Sequence, residues 1–355
     1  MIVHPQILEA FDLKEADYDA LRYGSGHINS TIHLKSKKRG KDYILQRINT
    51  HVFKRPDIID RNQRLAAAYL KKQAPDYFFL SPVPTVAGPC LFEWQGEYWR
   101  LLPFVKHTVA VNQADNPRQA FEAAQQFGRL ARLLSGIDLR EFQPSIPNFH
   151  NLTLRYSSFQ DAIRSASEER REAAEDLTEA FLNYSGIAVR FEELKTDKDF
   201  RDRLMHHDTK INNVLLDDKT YEGICVIDLD TLMPGKLISD LGDMVRTYVS
   251  PVSEEEQDFD KIVIRDDYYE ALMQGYLSEL KGDLTPTEKE VLFYAGQFII
   301  YMQGIRFLTD YLNGDVYYPV KYPEHNYNRA KNQLTLLQRL NEREAALRRI
   351  IGGCL

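Results

Sequence analysis

The sequence predicts an α+β protein of two unequal lobes, a small β-rich lobe over residues 1–105 and a large helical lobe over residues 106–355. Three observations carry that prediction. Alternation of apolar and polar residues marks the first lobe, amphipathic helical patterning dominates after Lys106, and one short strand-rich island, Val214 to Asp230, interrupts the helices.

In order along the chain, Ser30 to Lys35 (STIHLK) alternates, the charged stretch SKKRGKD with Gly40 supplies a turn, and Tyr43 to Ile48 (YILQRI) alternates again. That is a hairpin pattern. Pro56 to Lys72 reads as a helix, with Leu65, Ala68 and Leu70 set among charges. A second strand pair follows in CLFEW, a turn at Gln95-Gly96, and EYWRLLPFV, which ends at Val105. Arg118–Leu134, Phe159–Leu182 and Tyr268–Leu280 predict amphipathic helices. Glu288–Leu312 predicts a long apolar helix and Arg329–Ile350 a charged one.

Composition narrows the partners. Lys and Arg number 45 against 52 Asp and Glu, a net charge of −7, where a nucleic-acid or anionic-membrane binder would want a basic excess. Cys90, Cys225 and Cys354 lie far apart with no CxxC pair, which argues against a zinc site or disulfide scaffold and fits a reducing compartment. Glu9, Asp12, Glu15 and Asp17 stand where a signal peptide would need an apolar stretch. The longest apolar run, Val291 to Met302, is interrupted by Gly296 and Gln297 and falls short of the ~20 residues that span a bilayer. The expectation is a cytoplasmic, soluble protein that acts on small molecules, with neither nucleic acid nor membrane as partner.

The island and its approach, His206 to Thr231 (HHDTKINNVLLDDKTYEGICVIDLDT), carry the chemistry. Asp208 can accept the proton of an attacking hydroxyl and orient it. Lys210 can neutralise charge on a transferring phosphoryl group. Asn213 and Asp228 are hard oxygen donors suited to Mg²⁺. The spacing His-x-Asp-x-Lys-x-x-Asn, followed after a hairpin by an Asp behind apolar residues, matches the catalytic loop and metal-binding Asp of protein kinases. Taken singly, Asp208 and Asn213 read equally as turn and cap residues, and Asp228 as the end of a strand. Asp240, in Asp240-Leu-Gly-Asp243, reads as a structural residue that bonds catalytic-loop amides or caps a helix.

Upstream, Gly24, Ser25 and Gly26 in YGSGHINST precede the first hairpin, where glycines let backbone amides approach phosphates. No GxxxxGK[ST] occurs, so a P-loop is excluded. The C-terminal half offers Arg306, Tyr317, Tyr318, Lys321, Tyr322, His325 and Arg329. A polycationic substrate would want an acidic pocket, and Asp310 and Asp315 do not outnumber these bases. A neutral sugar fits better, although the tyrosines keep a quaternary ammonium compound open.

YGSGHINST, YILQRIN, HHDTKINNVLLD, VIDLDTLMPG and SDLGD resemble the aminoglycoside phosphotransferase and choline kinase superfamily. GIRFLTDYLNGDVYYPVKYPEHNYNRAKNQ is similar to the N-acetylhexosamine 1-kinases within it, bacterial enzymes that make sugar 1-phosphates from ATP and N-acetylglucosamine or N-acetylgalactosamine. The resemblance implies a protein-kinase-like bilobal fold and Mg²⁺ with ATP as co-substrate. It implies Asp208 as catalytic base, Asn213 and Asp228 as Mg²⁺ ligands, and His27, Asp208, Arg306 and Tyr317 as sugar contacts. The ATP site would comprise the glycine loop, Gln46, and an adenine hinge at Leu102, Phe104 and Val105. Gln46, with Arg47 beside it, stands where the wider superfamily carries a phosphate-pairing lysine, and no partner glutamate is evident in RNQRLAAAYL. Glutamine is also what the narrower family shows there. Thr247 replaces an aromatic residue that a relative can carry in its acyl-group pocket. The alternatives are a kinase of an aminoglycoside or amino alcohol, or a non-catalytic nucleotide- or sugar-binding module. The intact Asp208, Asn213 and Asp228 disfavour the last.

Overall fold

The computed structural model describes residues 3–24, 28–38 and 40–355. Helix α1 (Pro5–Glu9) starts on a proline, whose missing N–H costs nothing in a first turn. Strands β1 (Tyr18–Arg22), β2 (Ser30–Ser36), β3 (Tyr43–Ile48), β4 (Phe92–Trp94) and β5 (Glu97–Pro103) form one antiparallel sheet in the order β1-β2-β3-β5-β4. Helix α2 (Pro56–Gln73) lies between β3 and β4 in the chain. Both expected strand pairs and the helix between them are present. Strand β1 escapes periodicity because none of its residues is buried.

Alternation gives the sheet two faces. Ile32, Leu34, Leu45, Trp99 and Leu101 point to one face and pack with Ile7, Leu8 and Phe11 of the N-terminal segment. Leu45 and Leu101 are fully excluded from solvent, which stabilises the fold by about 1.5–3 kcal/mol for each such side chain. The opposite face carries the residues between these, odd-numbered on β2 and even-numbered on β3 and β5. Thr31 stands opposite Gln46 and Gln46 opposite Arg100, while His33 stands opposite Ile44 and Ile44 opposite Leu102. This second face looks toward the helical lobe.

Beyond β6 (Thr108–Val109) the chain is mostly helical. Helix α3 (Pro117–Leu133) is capped by Asn116, whose side chain accepts from the Gln119 N–H at 3.1 Å. The single helix expected over Phe159–Leu182 is instead α4 (Leu152–Ser165), α5 (Glu168–Ala173) and α6 (Glu175–Asn183). Ser167 breaks it by capping α5, a role in which serine competes with helix continuation. Next come α7 (Gly186–Lys195), β7 (Arg203–Met205), the hairpin β8 (Val214–Asp217) and β9 (Gly223–Val226), and β10 (Met233–Gly235). β6 adds to the hairpin, and β10 pairs with β7.

Helices α8 (Leu237–Tyr248), α9 (Asp266–Leu280), α10 (Pro286–Glu290), α11 (Leu292–Leu312), α12 (His325–Glu342) and α13 (Glu344–Cys354) complete the lobe. α8 is buried on nearly every side, its charged residues Asp240 and Asp243 included. The long apolar pattern breaks at Val291 and the charged one at Arg343, both of which leave helical backbone angles. The apolar run Val291–Met302 therefore lies mostly in α11, the buried core helix, packed on α4, α8 and α12. Among the described residues, no helix is long and apolar enough to cross a membrane. The three cysteines are free.

A charged network ties α8 to α12. Arg246 pairs with Asp243 at 2.9 Å and with Glu254 at 2.7 Å, and Glu254 also takes Arg329. Burial alone would raise the Glu254 carboxyl, but Arg246 and Arg329 outweigh it and bring it down to about 2. A carboxylate depressed in the folded state stabilises it fully above its ordinary value of 4.5, and that stabilisation is lost as pH falls toward about 2. The Glu254→Gln variant should be less stable than the parent at neutral pH. The gap should close progressively below pH 4.5. Urea unfolding at several pH values measures it, and a gap constant across that window would contradict the assignment.

Candidate active site

The segment leaving β7 is held from behind by Asp240. Its Oδ2 accepts from the His206 N–H at 3.0 Å and its Oδ1 from the His207 N–H at 2.7 Å. Asp240 thus bonds loop amides, as its sequence context suggested, but does so from within α8 rather than from a helix cap. Thr209 donates its hydroxyl to the Asp240 carbonyl at 2.7 Å, and Tyr248 donates to the Thr209 carbonyl at 2.9 Å. His206 is buried, with Nε2 at 2.9 Å from the Ile227 carbonyl. That donation makes Nδ1 the acceptor for the Asp208 N–H at 3.3 Å. His207 adopts φ +67° and packs on Gly235, where an added Cβ would stand 2.2 Å from the imidazole. Only glycine fits there.

This scaffold presents Asp208 half-buried between two partners. Lys210 Nζ lies 3.1 Å from its Oδ1, and Asn213 Nδ2 donates to its Oδ2 at 3.1 Å. Burial opposes ionisation of Asp208, but the Lys210 charge and the hydrogen bonds from Lys210 and Asn213 prevail and hold it below the ordinary carboxylate range. Asn213 Nδ2 also bonds the Asp208 carbonyl at 2.8 Å, which leaves Oδ1 for a cation. The Asn213 carbonyl accepts from the Ile227 N–H at 2.8 Å, joining the loop to the strand end that carries Asp228.

Asp228 sits in the left-handed region at φ 56°, ψ 56°, which Asp tolerates better than most residues. Crowding by the surrounding protein raises its carboxyl, and repulsion from Asp230 and Asp208 raises it further. The residue nonetheless remains exposed, so repulsion is the part a bound cation would cancel. Asn213 and Asp228 offer a small set of hard oxygens, which suits Mg²⁺ when phosphates and waters complete its shell.

Facing them, the sheet presents two rows. His33, Ile44 and Leu102 form a largely apolar row, with Phe104 stacked on His33 at 4.2 Å. Thr31, Gln46 and Arg100 form a polar row. Gln46 thus faces the cleft, while Arg47 turns to the other face and pairs with Glu97. The guanidinium of Arg100 donates to Gln46 Oε1 from Nε at 2.9 Å and from a terminal nitrogen at 2.8 Å, and it forms an ion pair with Asp230. On α2, within the stretch where no partner glutamate is evident, Gln63 reaches Asp230 at 3.4 Å. Gly24 has φ +79°, a conformation that favours glycine. Ser25, Gly26 and His27 lie outside the described residues.

Arg306 and Tyr317 line one cavity of about 140 Å³, together with Arg155, Thr309, Asp310 and Tyr318. Arg306 lies over the Phe149 ring at 5.9 Å, and that ring contacts His207 with centroids 6.4 Å apart, so one intervening ring links the cavity wall to the residue before Asp208. Asp310 is fully engaged. It accepts from the N–H groups of Val316, Tyr317 and Tyr318 at 2.8–3.0 Å and from Asn326 at 3.0 Å. By contrast, Arg155 Nε and the Thr309 hydroxyl are buried without a partner among the described residues. Sequence reasoning missed Arg100, Asp230 and Arg155. A lone Arg amid the apolar residues of EYWRLLPFV was a signal for the first, since a buried charge demands a partner.

The family model described as the Phosphotransferase enzyme family (APH) matches residues 19–284. Among solved structures, the chain is similar to an aminoglycoside phosphotransferase from Alicyclobacillus acidocaldarius, with TM-score 0.64, 11% identity, and coverage of 99% of this chain and 98% of that one. It is similar to spectinomycin phosphotransferase in complex with ADP and spectinomycin, with TM-score 0.59, 14% identity and coverage of 97% and 99%. A microcompartment-associated aminopropanol kinase gives TM-score 0.59, 15% identity and coverage of 97% of each chain. At these identities the likeness is one of fold, and the fold is the protein-kinase-like α+β architecture with a β-sheet N-terminal region and a large helical C-terminal region.

Asp240 gives the scaffold its test. In Asp240→Asn one loop N–H faces an amide NH₂ and loses its acceptor, so stability should drop by about 1–3 kcal/mol. Amide exchange at His206 and His207 should accelerate more than exchange in α9. Equal acceleration throughout would mean that Asp240 does not hold the loop specifically.

Proposed function

The chain belongs to the phosphotransferase enzyme family, and on that premise we propose that it transfers the γ-phosphoryl group of ATP to the anomeric hydroxyl of an N-acetylhexosamine. The observation that carries the acceptor class is the cavity beside the catalytic loop. Among the described residues its lining has one carboxylate, Asp310, spent on backbone amides, and two guanidiniums, Arg155 and Arg306. An ammonium-rich acceptor would bury its charge there without a counter-ion, a costly arrangement. A neutral sugar with an acyl carbonyl offers acceptor oxygens to the Arg155 Nε–H and to Arg306, while the rings of Tyr317 and Tyr318 offer faces to its C–H groups.

In the reaction, adenine lies on the apolar row of His33, Ile44 and Leu102. The Phe104 N–H is committed to the Asp42 carbonyl at 3.1 Å, so strand alternation leaves the Pro103 carbonyl and the Val105 N–H to meet the purine edge. The triphosphate runs toward the polar row and the catalytic loop. Asn213 and Asp228 would hold Mg²⁺, which when bound would supply neutralisation of phosphate charge. Asp208 orients the anomeric hydroxyl and takes its proton as the new O–P bond forms. The bond between the bridging oxygen and the γ-phosphorus breaks, and ADP leaves with its electron pair. Held low by Lys210 and Asn213, Asp208 is a weak base that serves chiefly to position its partner. That suits a loose transition state in which the proton moves late. Lys210, exposed beside it, offers positive charge to the transferring group.

Incubation with ATP, Mg²⁺ and a panel of acceptors tests this reading. N-acetylglucosamine or N-acetylgalactosamine should be consumed, and phosphorus NMR should show an acid-labile sugar 1-phosphate. A 6-phosphate, or turnover confined to aminoglycosides or amino alcohols, would overturn the acceptor assignment. Asp208→Asn should lower kcat by about 10²–10⁴-fold, the range for a positioned acid or base, with little change in ATP binding. Near-normal turnover in the folded variant would remove Asp208 from the chemical step.

A further inference from the structure

Kinase-type folds place a phosphate-pairing lysine on the third strand and tie it to a glutamate of the following helix. Here the third strand and that helix offer neutral groups, Gln46 and Gln63, and both touch a different ion pair. Arg100 is 3% exposed and Asp230 is 2% exposed, and the two are bonded to each other. The cation has moved one strand over, from β3 to β5, directly opposite Gln46 in register. Its partner has moved from α2 to the turn just after Asp228. A lysine at position 46 would set a second cation against Arg100, so a neutral Gln46 follows from a charged Arg100.

Asp230 gathers more than the arginine. Asn29 Nδ2 donates to its Oδ2 at 2.7 Å, and Asn29 Oδ1 accepts from the Asn49 N–H at 2.9 Å. One carboxylate therefore fastens the base of the glycine loop, β5, α2 and the turn bearing Asp228. Arg100 is enclosed, and Nε and both terminal nitrogens are occupied. That environment suits a group that fixes others and not one that reaches a phosphate itself.

We propose that Arg100 and Asp230 are a positioning pair that holds Asp228 in place to receive the metal–nucleotide complex, bridging the lobes where a lysine–glutamate pair would lie within one. The inference rests on the phosphotransferase reading and on Asp228 as a metal ligand, but not on which acceptor is used. It predicts that loss of the pair weakens nucleotide binding chiefly through the metal.

The test is the affinity for ADP, measured by calorimetry on the full chain with Mg²⁺ and again with the metal chelated, alongside thermal melts. Arg100→Gln should weaken Mg·ADP by about 10–100-fold, the usual effect of losing an outer partner of a metal ligand, and should leave metal-free ADP within about threefold. Arg100→Lys should recover most of the loss. The double variant Gln46→Lys with Arg100→Gln, which returns the cation to β3, should recover part of it. Should Arg100→Gln fail to fold, Asp230→Asn keeps the shape and takes the same measurements. Equal weakening with and without metal would overturn the proposal and make Arg100 a direct phosphate ligand. Unchanged Mg·ADP affinity in a folded variant would overturn it as well. No acceptor is present in these titrations, so an error in the sugar assignment would leave their outcome unaltered.

Discussion

Taking carboxylates out of water is the constraint around which this structure is organised. Between positions 208 and 243 the chain buries Asp230, Asp240 and Asp243 and half-buries Asp208. Removing the partner of such a group costs about 3–5 kcal/mol, so each has one. Arg100 on β5 answers Asp230, two backbone amides answer Asp240, Arg246 answers Asp243, and Lys210 with Asn213 answers Asp208. The compensating groups come from different elements. Satisfying the acids therefore locks the sheet, the catalytic loop and α8 into one arrangement, and the geometry of the site follows from electrostatics as much as from apolar packing.

What was legible in the sequence was local. His206 to Asn213 and Asp228 fall within one loop and hairpin, so their spacing survives translation into space. Both strand pairs and α2 followed from alternation and helical period. Arg306 and Tyr317 converge on one cavity because Asp310, between them, gathers the amides of the loop that carries Tyr317. Partnerships across long separations were illegible. Arg100 and Asp230 are 130 positions apart, and no periodicity links them. Helix α8 has a polar stripe, Asp240, Asp243 and Arg246, that is largely buried as well, so its role depends on distant partners, and the helix breaks at Ser167, Val291 and Arg343 depend on caps and backbone angles that the apolar pattern overrides.

The fold neighbours act on chemically different acceptors, according to their names, while superposing on nearly the whole chain at 11–15% identity. A scaffold shared at that distance says little about the acceptor, which is decided by the few side chains at the cavity wall. Two guanidiniums face a carboxylate that has no lone pairs to spare, and a buried hydroxyl and a buried N–H wait for acceptors. Donors without partners in a cavity indicate the kind of atom that completes it.

The seat of α1 bears on how the chain is made. Ile7, Leu8 and Phe11 are synthesised about 90 residues ahead of Trp99 and Leu101, and the surface they cover is finished only when those two emerge. At ribosomal rates of about 5–20 residues per second, that apolar segment waits roughly 5–20 s without its partners. It needs shelter near the exit tunnel during that interval, and the sheet closes over it late, as β5 slides between β3 and β4. One apolar face of the sheet is thus completed by two segments made far apart in time.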